Sequence, residues 1–225
     1  MMLPLDGEWT LFYRLENGNE TWSRIPAQVP GNVELDLQRA GVEPDPFFGE
    51  NIYLFRKYEF YEWRLERDFF IPQDWAGKMV SLTLEGVNTY ADILINGTAV
   101  GSCGNMLIAH TFDVAHALKY GEQNHIAVIL HSAANVARLQ NYAVALSGGE
   151  HTDEFVWQRK PPHSFGWDIM PRFPSAGLWR GVHLDVVPDT RITQAYYATL
   201  SATEKRAEIV FKYLFATDAP ILEGF

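Results

Sequence analysis

The chemistry in this sequence gathers between Arg159 and Gly181, in the stretch RKPPHSFGWDIMPRFPSAGLWRG. Three aromatics (Phe165, Trp167, Phe173) and one carboxylate (Asp168) stand there among prolines at 161, 162, 171 and 174. Proline fixes φ and removes a backbone donor, so most of this segment is expected to be neither helix nor central strand. The expectation is an ordered loop held by its own side chains, a setting that often carries function. A sugar ring presents an apolar C–H face and a rim of hydroxyls. An indole can cover the face, and a nearby carboxylate can accept hydrogen bonds from the rim. The competing reading is a proline-rich connection whose aromatics plug the end of a β-sandwich.

Other chemistries are weakly represented. Glycoside hydrolysis needs two carboxyls, about 5 Å apart for retention. The local pairs are Glu34 with Asp36, Asp45 with Glu50, and Asp153 with Glu154. Each fits capping, solvation or loop shaping, and none is expected to be a complete catalytic pair. The seven histidines (His110, His116, His125, His131, His151, His163, His183) include no HExxH spacing, and no CxxC accompanies them. No metal is expected. GxGxxG, GxxxxGK[ST] and GxSxG stretches are absent, so neither a nucleotide cradle nor a nucleophile elbow is indicated, and no cofactor is expected.

The elements that would position the loop follow from hydrophobic patterning. Asp6–Arg14 reads as a strand with Trp9, Leu11 and Tyr13 on one face. Pro30-Gly31 is a turn, Asn32 is a candidate cap, and Val33 to Ala40 reads as a short helix ended by Gly41. A loop from Val42 to Asn51 follows, and Tyr53 to Tyr61 reads as another short helix. Trp63–Phe70 and Val80–Leu84 alternate as strands, with Val87-Asn88 as a turn. Ala91, Ile93 and Ile95 share one strand face, and Asn96-Gly97 marks a tight hairpin into Thr98–Gly101. Thr111–Val114, Asn124–Ser132 and Leu178–Val187 complete the first set of strands. Ala133 to Leu146 reads as a helix or a loose excursion, and Ser147 to Asp153 as a turn cluster. Beyond Pro188, Arg191–Ser201 and Ala207–Phe215 are two further strand patterns. Two strands cannot bury a core alone, so residues 188–225 are expected to begin a second β-domain left incomplete here. Many short strands and few helices define an all-β sandwich.

Composition agrees with a packed domain of this size. Of 225 residues, 47% are hydrophobic and 14% aromatic, enough for a sizeable core. The formal charge of −10 argues against nucleic acid or an anionic membrane as partner. No apolar run reaches the roughly 18 residues that a spanning helix needs. One cysteine, Cys103, allows no intrachain disulfide. That leans toward a reducing compartment, and MMLPLDGEW lacks the features of a signal peptide, so the expectation is cytoplasmic.

LDGEW, VPGNVELDL, DPFFGEN, LEGVNTYADILINGTAVG and SFGWDIMPRFPSAGLWRGVHL occur here in one order. That set resembles the N-terminal sugar-binding domain of glycoside hydrolase family 2, and within it the β-mannosidases. The resemblance covers residues 3 to about 187. It implies a jelly-roll, galactose-binding-like first domain over 1–187 and the start of an immunoglobulin-like domain over 188–225. In the family a (β/α)₈ barrel follows and carries the acid/base and nucleophile glutamates, so both would be missing from this chain. The resemblance also implies that the tryptophan–aspartate loop reaches the barrel's active site and binds the terminal sugar. Carried over, this assigns Trp167 and Asp168, with Arg159 and Phe165 in support. The DPFFGEN loop (Asp45, Phe48, Glu50, Asn51) would line the same rim.

Two departures bear on specificity. The β-mannosidases usually read WDWGP, whereas this chain has Trp167-Asp168-Ile169-Met170-Pro171. An aromatic is lost at Ile169, and a glycine, with its access to positive φ, at Met170. Asn51 is followed by Ile52 where the family commonly has Asn-Glu. The implied role is a carbohydrate-binding accessory domain of a retaining exo-glycosidase, its partners a terminal β-linked sugar and the rest of its own polypeptide. The alternatives are a β-galactosidase- or β-glucuronidase-type parent, a carbohydrate-binding module acting alone, and a purely structural jelly roll.

Overall fold

The computed structural model describes residues 1–140 and 153–217, which form two compact units dividing between Val186 and Val187. In the first unit the strands are β1 (Met2–Pro4), β2 (Gly7–Leu15), β3 (Ser23–Val29), β4 (Tyr61–Phe70), β5 (Val80–Leu84) and β6 (Val87–Asn88). They continue with β7 (Tyr90–Ile95), β8 (Thr98–Cys103), β9 (His110–Asp113), β10 (Gln123–His131), β11 (Gly177–Leu178) and β12 (Val182–Val186). Two short α-helices, α1 (Val33–Arg39) and α2 (Ala133–Arg138), interrupt them. A 3₁₀ segment covers Asn51–Phe60. Most of the helix-or-excursion reading beyond Arg138, the turn cluster before Asp153, and His151 fall partly or wholly outside the described residues.

A six-stranded sheet in the order β3-β2-β4-β10-β7-β8 and a four-stranded sheet in the order β1-β12-β5-β9 make the sandwich. Their pairings are antiparallel, so each strand alternates a core face with a solvent face. Leu11, Leu65, Ile93, Ile95, Ile126 and Leu130 from the first sheet and Leu82, Leu84 and Leu184 from the second are at most 1% exposed and belong to one core. This is the all-β sandwich expected from the patterning, and burying side chains of this size contributes about 1.5–3 kcal/mol each. The Asn96-Gly97 turn between β7 and β8 takes positive φ at both residues, +51° and +80°, as a tight hairpin requires. Asn32 caps α1 by accepting from the Leu35 amide at 3.1 Å.

Several readings of the sequence change. The strand read over Leu178–Val187 is broken at 179–181 into β11 and β12, which lie in different sheets, and the helix read over Tyr53–Tyr61 is the 3₁₀ segment Asn51–Phe60, with Tyr61 opening β4. The Val87-Asn88 pair is not simply a turn. It is β6, hydrogen-bonded to β11 through Val87–Leu178 and Asn88–Gly177, a partner that lies ninety residues away in the chain. Ser23–Val29, not read as a strand, is β3. It sits at the edge of the larger sheet, where Pro26 removes no donor that an inner strand would need.

The second unit, taken by itself, is a two-stranded antiparallel hairpin, β13 (Thr190–Ala202) with β14 (Ala207–Thr217). Phe211, Tyr213 and Phe215 line up along one face, with ring centroids 6.0 and 6.5 Å apart, and all three are exposed.

Candidate functional site

The 159–181 stretch is an ordered loop, and its order has identifiable sources. Going inward from the base, three sets of bonds close it. The buried Lys160 ammonium donates to the Ser175 carbonyl at 2.5 Å. The Phe173 amide donates to the Ser164 carbonyl at 2.8 Å. At the tip, the Trp167 and Met170 amides donate to each other's carbonyls, at 2.8 and 3.1 Å. Pro162–Phe165 makes a single 3₁₀ turn on the outgoing arm, and Gly166 follows at φ +109°, a conformation that favours glycine. Asp168 and Ile169 therefore occupy the apex.

Side chains brace the loop from below. The Arg172 guanidinium donates from Nε to Glu59 at 2.9 Å and pairs with Glu154. It also lies over the Phe165 ring, 5.3 Å from the centroid. Glu59 pairs in addition with Arg56, and Arg138 approaches Glu154 at 3.8 Å. Phe173 meets Phe55 edge-on at 5.7 Å. The loop is thus tied to the 51–60 segment by both an ion-pair network and an aromatic contact, and its foundations are largely out of solvent.

The apex is different. Trp167 is 56% exposed and Ile169 90%. Asp168 is exposed and makes no hydrogen bond or ion pair with any described residue. Trp167 and Met170 stand between two hollows. One, of about 480 Å³, is floored by Phe165, Gly166 and Arg172, with Glu154 and Arg138 at its side. The other, about 460 Å³, is walled by Pro162, His163 and Ile169. Both fall in the size range of small-ligand pockets.

Of the residues singled out from sequence, Trp167 and Asp168 lie at this apex and Phe165 lies beneath it, 3% exposed. Phe165 is therefore a support for the loop rather than a surface. Arg159 is exposed at the loop's base, its carbonyl accepting from the Met106 amide at 3.0 Å. Asp45, Glu50 and Asn51 are held locally. The Phe47 amide donates to Asp45 Oδ1 and Asn51 Nδ2 to the Asp45 carbonyl, both at 2.9 Å. Neither hollow lined by Trp167 includes any of these three.

Sequence reasoning passed over Lys160, Arg172 and Glu59, and took Glu34 only as half of a local carboxylate pair with Asp36. Glu34 and Lys160 share a buried site with Asn88 and Ser175, where the Ser175 hydroxyl donates to Glu34 at 2.7 Å. Burial raises the Glu34 carboxyl to about 6, against the Ser175 hydrogen bond and the Lys160 charge. Burial likewise pushes the Lys160 ammonium down to about 8, with the Glu34 charge opposing. Glu34, Asn88 and Ser175 line part of a narrow cavity of about 20 Å³, room for a water and far too small for a sugar ring. The local signal was thin: a lysine beside two prolines, and a glutamate in the first turn of a helix.

Among the described residues one trio, Glu16, Glu62 and His131, brings metal-ligand atoms within 4.8 Å of one another. His131 is already engaged on both sides, by Glu16 at Nδ1 (3.3 Å) and Asp92 at Nε2 (2.9 Å). The bond to Glu16 raises its pKa to about 9; burial opposes this and Asp92 adds to it. With the proton held between the two carboxylates, the arrangement has the geometry of an ion-pair cluster.

The apex can stack on an apolar face and accept hydrogen bonds. Hydrolysis asks for more. The nearby carboxylates, Glu59 and Glu154, are committed to Arg172, and Asp168 has no acid or base partner among the described residues.

The architecture is that of a galactose-binding-like β-sandwich carrying a braced aromatic–carboxylate loop. A family profile described as "Glycosyl hydrolase 2 galactose-binding domain-like" matches residues 9–180, and the chain belongs to that family. Among curated relatives, Beta-mannosidase B of Thermothelomyces thermophilus is 29% identical over 215 residues, covering 93% of this chain and 24% of that protein. Beta-mannosidase of Rattus norvegicus is 33% identical over 196 residues, covering 80% of this chain and 21% of the relative. The crystal structure of a β-D-mannosidase from Dictyoglomus thermophilum superposes with a TM-score of 0.85 at 32% identity, over 96% of this chain and 26% of the other. A β-glucuronidase from Ruminococcus gnavus shares the fold at 17% identity and TM-score 0.63, over 97% of this chain and 34% of its own. The chain spans about a quarter of the length of the curated relatives it matches.

Proposed function

We propose that this chain is the sugar-contacting accessory domain of a β-mannosidase-like retaining exo-glycosidase. Asp168 accepts hydrogen bonds from hydroxyls of the terminal sugar, and Trp167 covers its apolar face. The observation that carries this reading is the contrast within one loop: buried, ion-paired foundations hold an exposed apex whose carboxylate has no described protein partner. A carboxylate held in place without a partner suits a ligand that supplies donors, because little ordering is left to be lost on binding. The mannosidase relatives support the choice of sugar, and their greater length supports a catalytic barrel elsewhere in the polypeptide as this domain's main partner. Asp45, Glu50, Asn51 and Arg159 belong to the outer rim in this reading. The β13–β14 hairpin, with its exposed aromatic face, fits the opening strands of an immunoglobulin-like domain.

The test is hydrolysis of a panel of aryl β-glycosides by the full-length protein, wild type beside Asp168→Ala. β-Mannoside should be preferred, and the variant should lose at least tenfold in kcat/KM, about 1.4 kcal/mol of transition-state binding. Preference for another glycoside would move the substrate assignment and leave the domain's role standing. Full activity of the variant on every cleaved substrate would show that the loop is architecture alone.

A further inference from the structure

We propose that Lys160 is the positioning residue of the Trp167–Asp168 loop: its ammonium replaces the base rung of a hairpin and sets where the Asp168 carboxylate stands. This rests on the role assigned above to Asp168.

The bonds closing the loop nest in order. Trp167 pairs with Met170, Ser164 with Phe173, and Lys160 with Ser175. The inner two are backbone bonds, as in a β-hairpin. At the base the backbones do not pair directly, and the lysine side chain makes the closure instead. Its second bond goes to Asn88 Oδ1, on β6, so the loop's two arms and the sandwich meet at one nitrogen. Glu34 completes the junction from α1 by accepting from the Ser175 hydroxyl at 2.7 Å.

A lysine 3% exposed is an expensive way to hold two chain segments together. An apolar side chain would pack there at lower desolvation cost, but it would leave the Ser175 carbonyl and the Asn88 amide oxygen without this donor. What the ammonium supplies is geometry: from one tetrahedral nitrogen it donates to a carbonyl on the returning arm and to a side chain on the sheet. Nothing in the site described above uses Lys160 chemically. It lies at the opposite end of the loop from the exposed apex, and it is buried away from solvent.

A residue that acts solely by placing Trp167 and Asp168 has a signature that general destabilisation lacks. In the full-length protein, Lys160→Met should lower kcat/KM on the preferred aryl glycoside about tenfold. In a background lacking both contacts, Trp167→Ala with Asp168→Ala, the same substitution should cost less than twofold, because the groups it positions are already gone. Hydrogen exchange should rise at the Trp167 and Met170 amides and stay unchanged in β7 and β10. If Lys160→Met does not fold, Lys160→Met with Glu34→Gln removes both buried charges and serves in its place. Equal losses in the two backgrounds would overturn the proposal, as would an unimpaired Lys160→Met enzyme beside an impaired Asp168→Ala enzyme. If Asp168→Ala is itself unimpaired, the functional reading falls and the loop's rigidity serves something else. Faster exchange at Trp167 in Lys160→Met would then still mark Lys160 as the residue that orders the loop.

Discussion

Arg172 donates to Glu59 at 2.9 Å with both side chains no more than 10% exposed, across 113 positions of sequence. This pair joins the returning arm of the aromatic loop to the 51–60 segment, and Glu154 engages the same guanidinium from its other side. The loop's place is therefore a property of the sandwich, not of the loop.

Removing the cation should be costly. Arg172→Met leaves Glu59 and Glu154 largely buried with only the more exposed Arg56 and Arg138 to answer them. The expected loss is about 3 kcal/mol of unfolding free energy, the usual scale for breaking one side of a buried pair. Urea denaturation of the chain, followed by tryptophan fluorescence, measures it. A loss below about 1 kcal/mol would mean the pair is solvated as surface bridges are.

His131 makes the sandwich sensitive to alkaline pH. Its pKa in the folded chain, about 9, lies above the ordinary 6.5 because Glu16, and then Asp92, favour the protonated ring. A raised pKa means that the folded state holds the proton more tightly than the unfolded one. The contribution is then complete below pH 6.5 and is lost as pH climbs from 6.5 through 9. Allowing for partial exposure and screening, about 2 kcal/mol should disappear over that range, and His131→Gln should flatten the profile. The imidazole resonances in an NMR titration give the pKa directly; a value near 6.5 would refute the pairing of His131 with Glu16 and Asp92.

Gly177 should tolerate no side chain. Its φ is +149°, and an added Cβ would come within 2.6 Å of the Gly31 carbonyl oxygen. Gly177→Ala is expected to cost about 2 kcal/mol or more through strain and the forced separation of β11 from the 30–32 turn. Thermal unfolding would register this as a lowered Tm, and an unchanged Tm would show that the two segments can part freely.

Asn96 carries more than its turn. Its amide donates to the Ala117 carbonyl (2.9 Å) and to Asn124 (2.8 Å), while its oxygen accepts from the His125 amide (3.0 Å). Asn96→Ala gives up these bonds and must also adopt φ +51° without the tolerance asparagine has for it. The expected cost is about 2 kcal/mol, again by urea unfolding. Asn96→Gly, which keeps the φ but not the bonds, should separate the two effects.

Much of the sandwich could be read from the chain alone. Val80, Leu82 and Leu84 alternate with polar neighbours, Ile126, Val128 and Leu130 fall at every second position of one strand, and the structure buries both sets completely. Strand geometry puts every second side chain on one face whatever the partner, so the pattern survives in one dimension. The Asn32 cap and the Asn96-Gly97 turn were legible for the same reason: each depends on φ and ψ of adjacent residues. The loop's order was foreseeable too, since four prolines restrict its backbone without help from elsewhere.

The tertiary structure decided everything that depends on neighbours distant in sequence. Val87-Asn88 looks like a turn until Gly177-Leu178 arrives to pair with it. Ser23–Val29 becomes a strand because β2 offers an edge where a proline is tolerated. Lys160, an ordinary surface residue by composition, becomes a buried anchor because Asn88 and Ser175 converge on its nitrogen. Asp168 is left open to solvent while Glu59 and Glu154 are claimed by Arg172. Desolvation and ion pairing are set by what packs around a group, and only the folded chain brings those groups together.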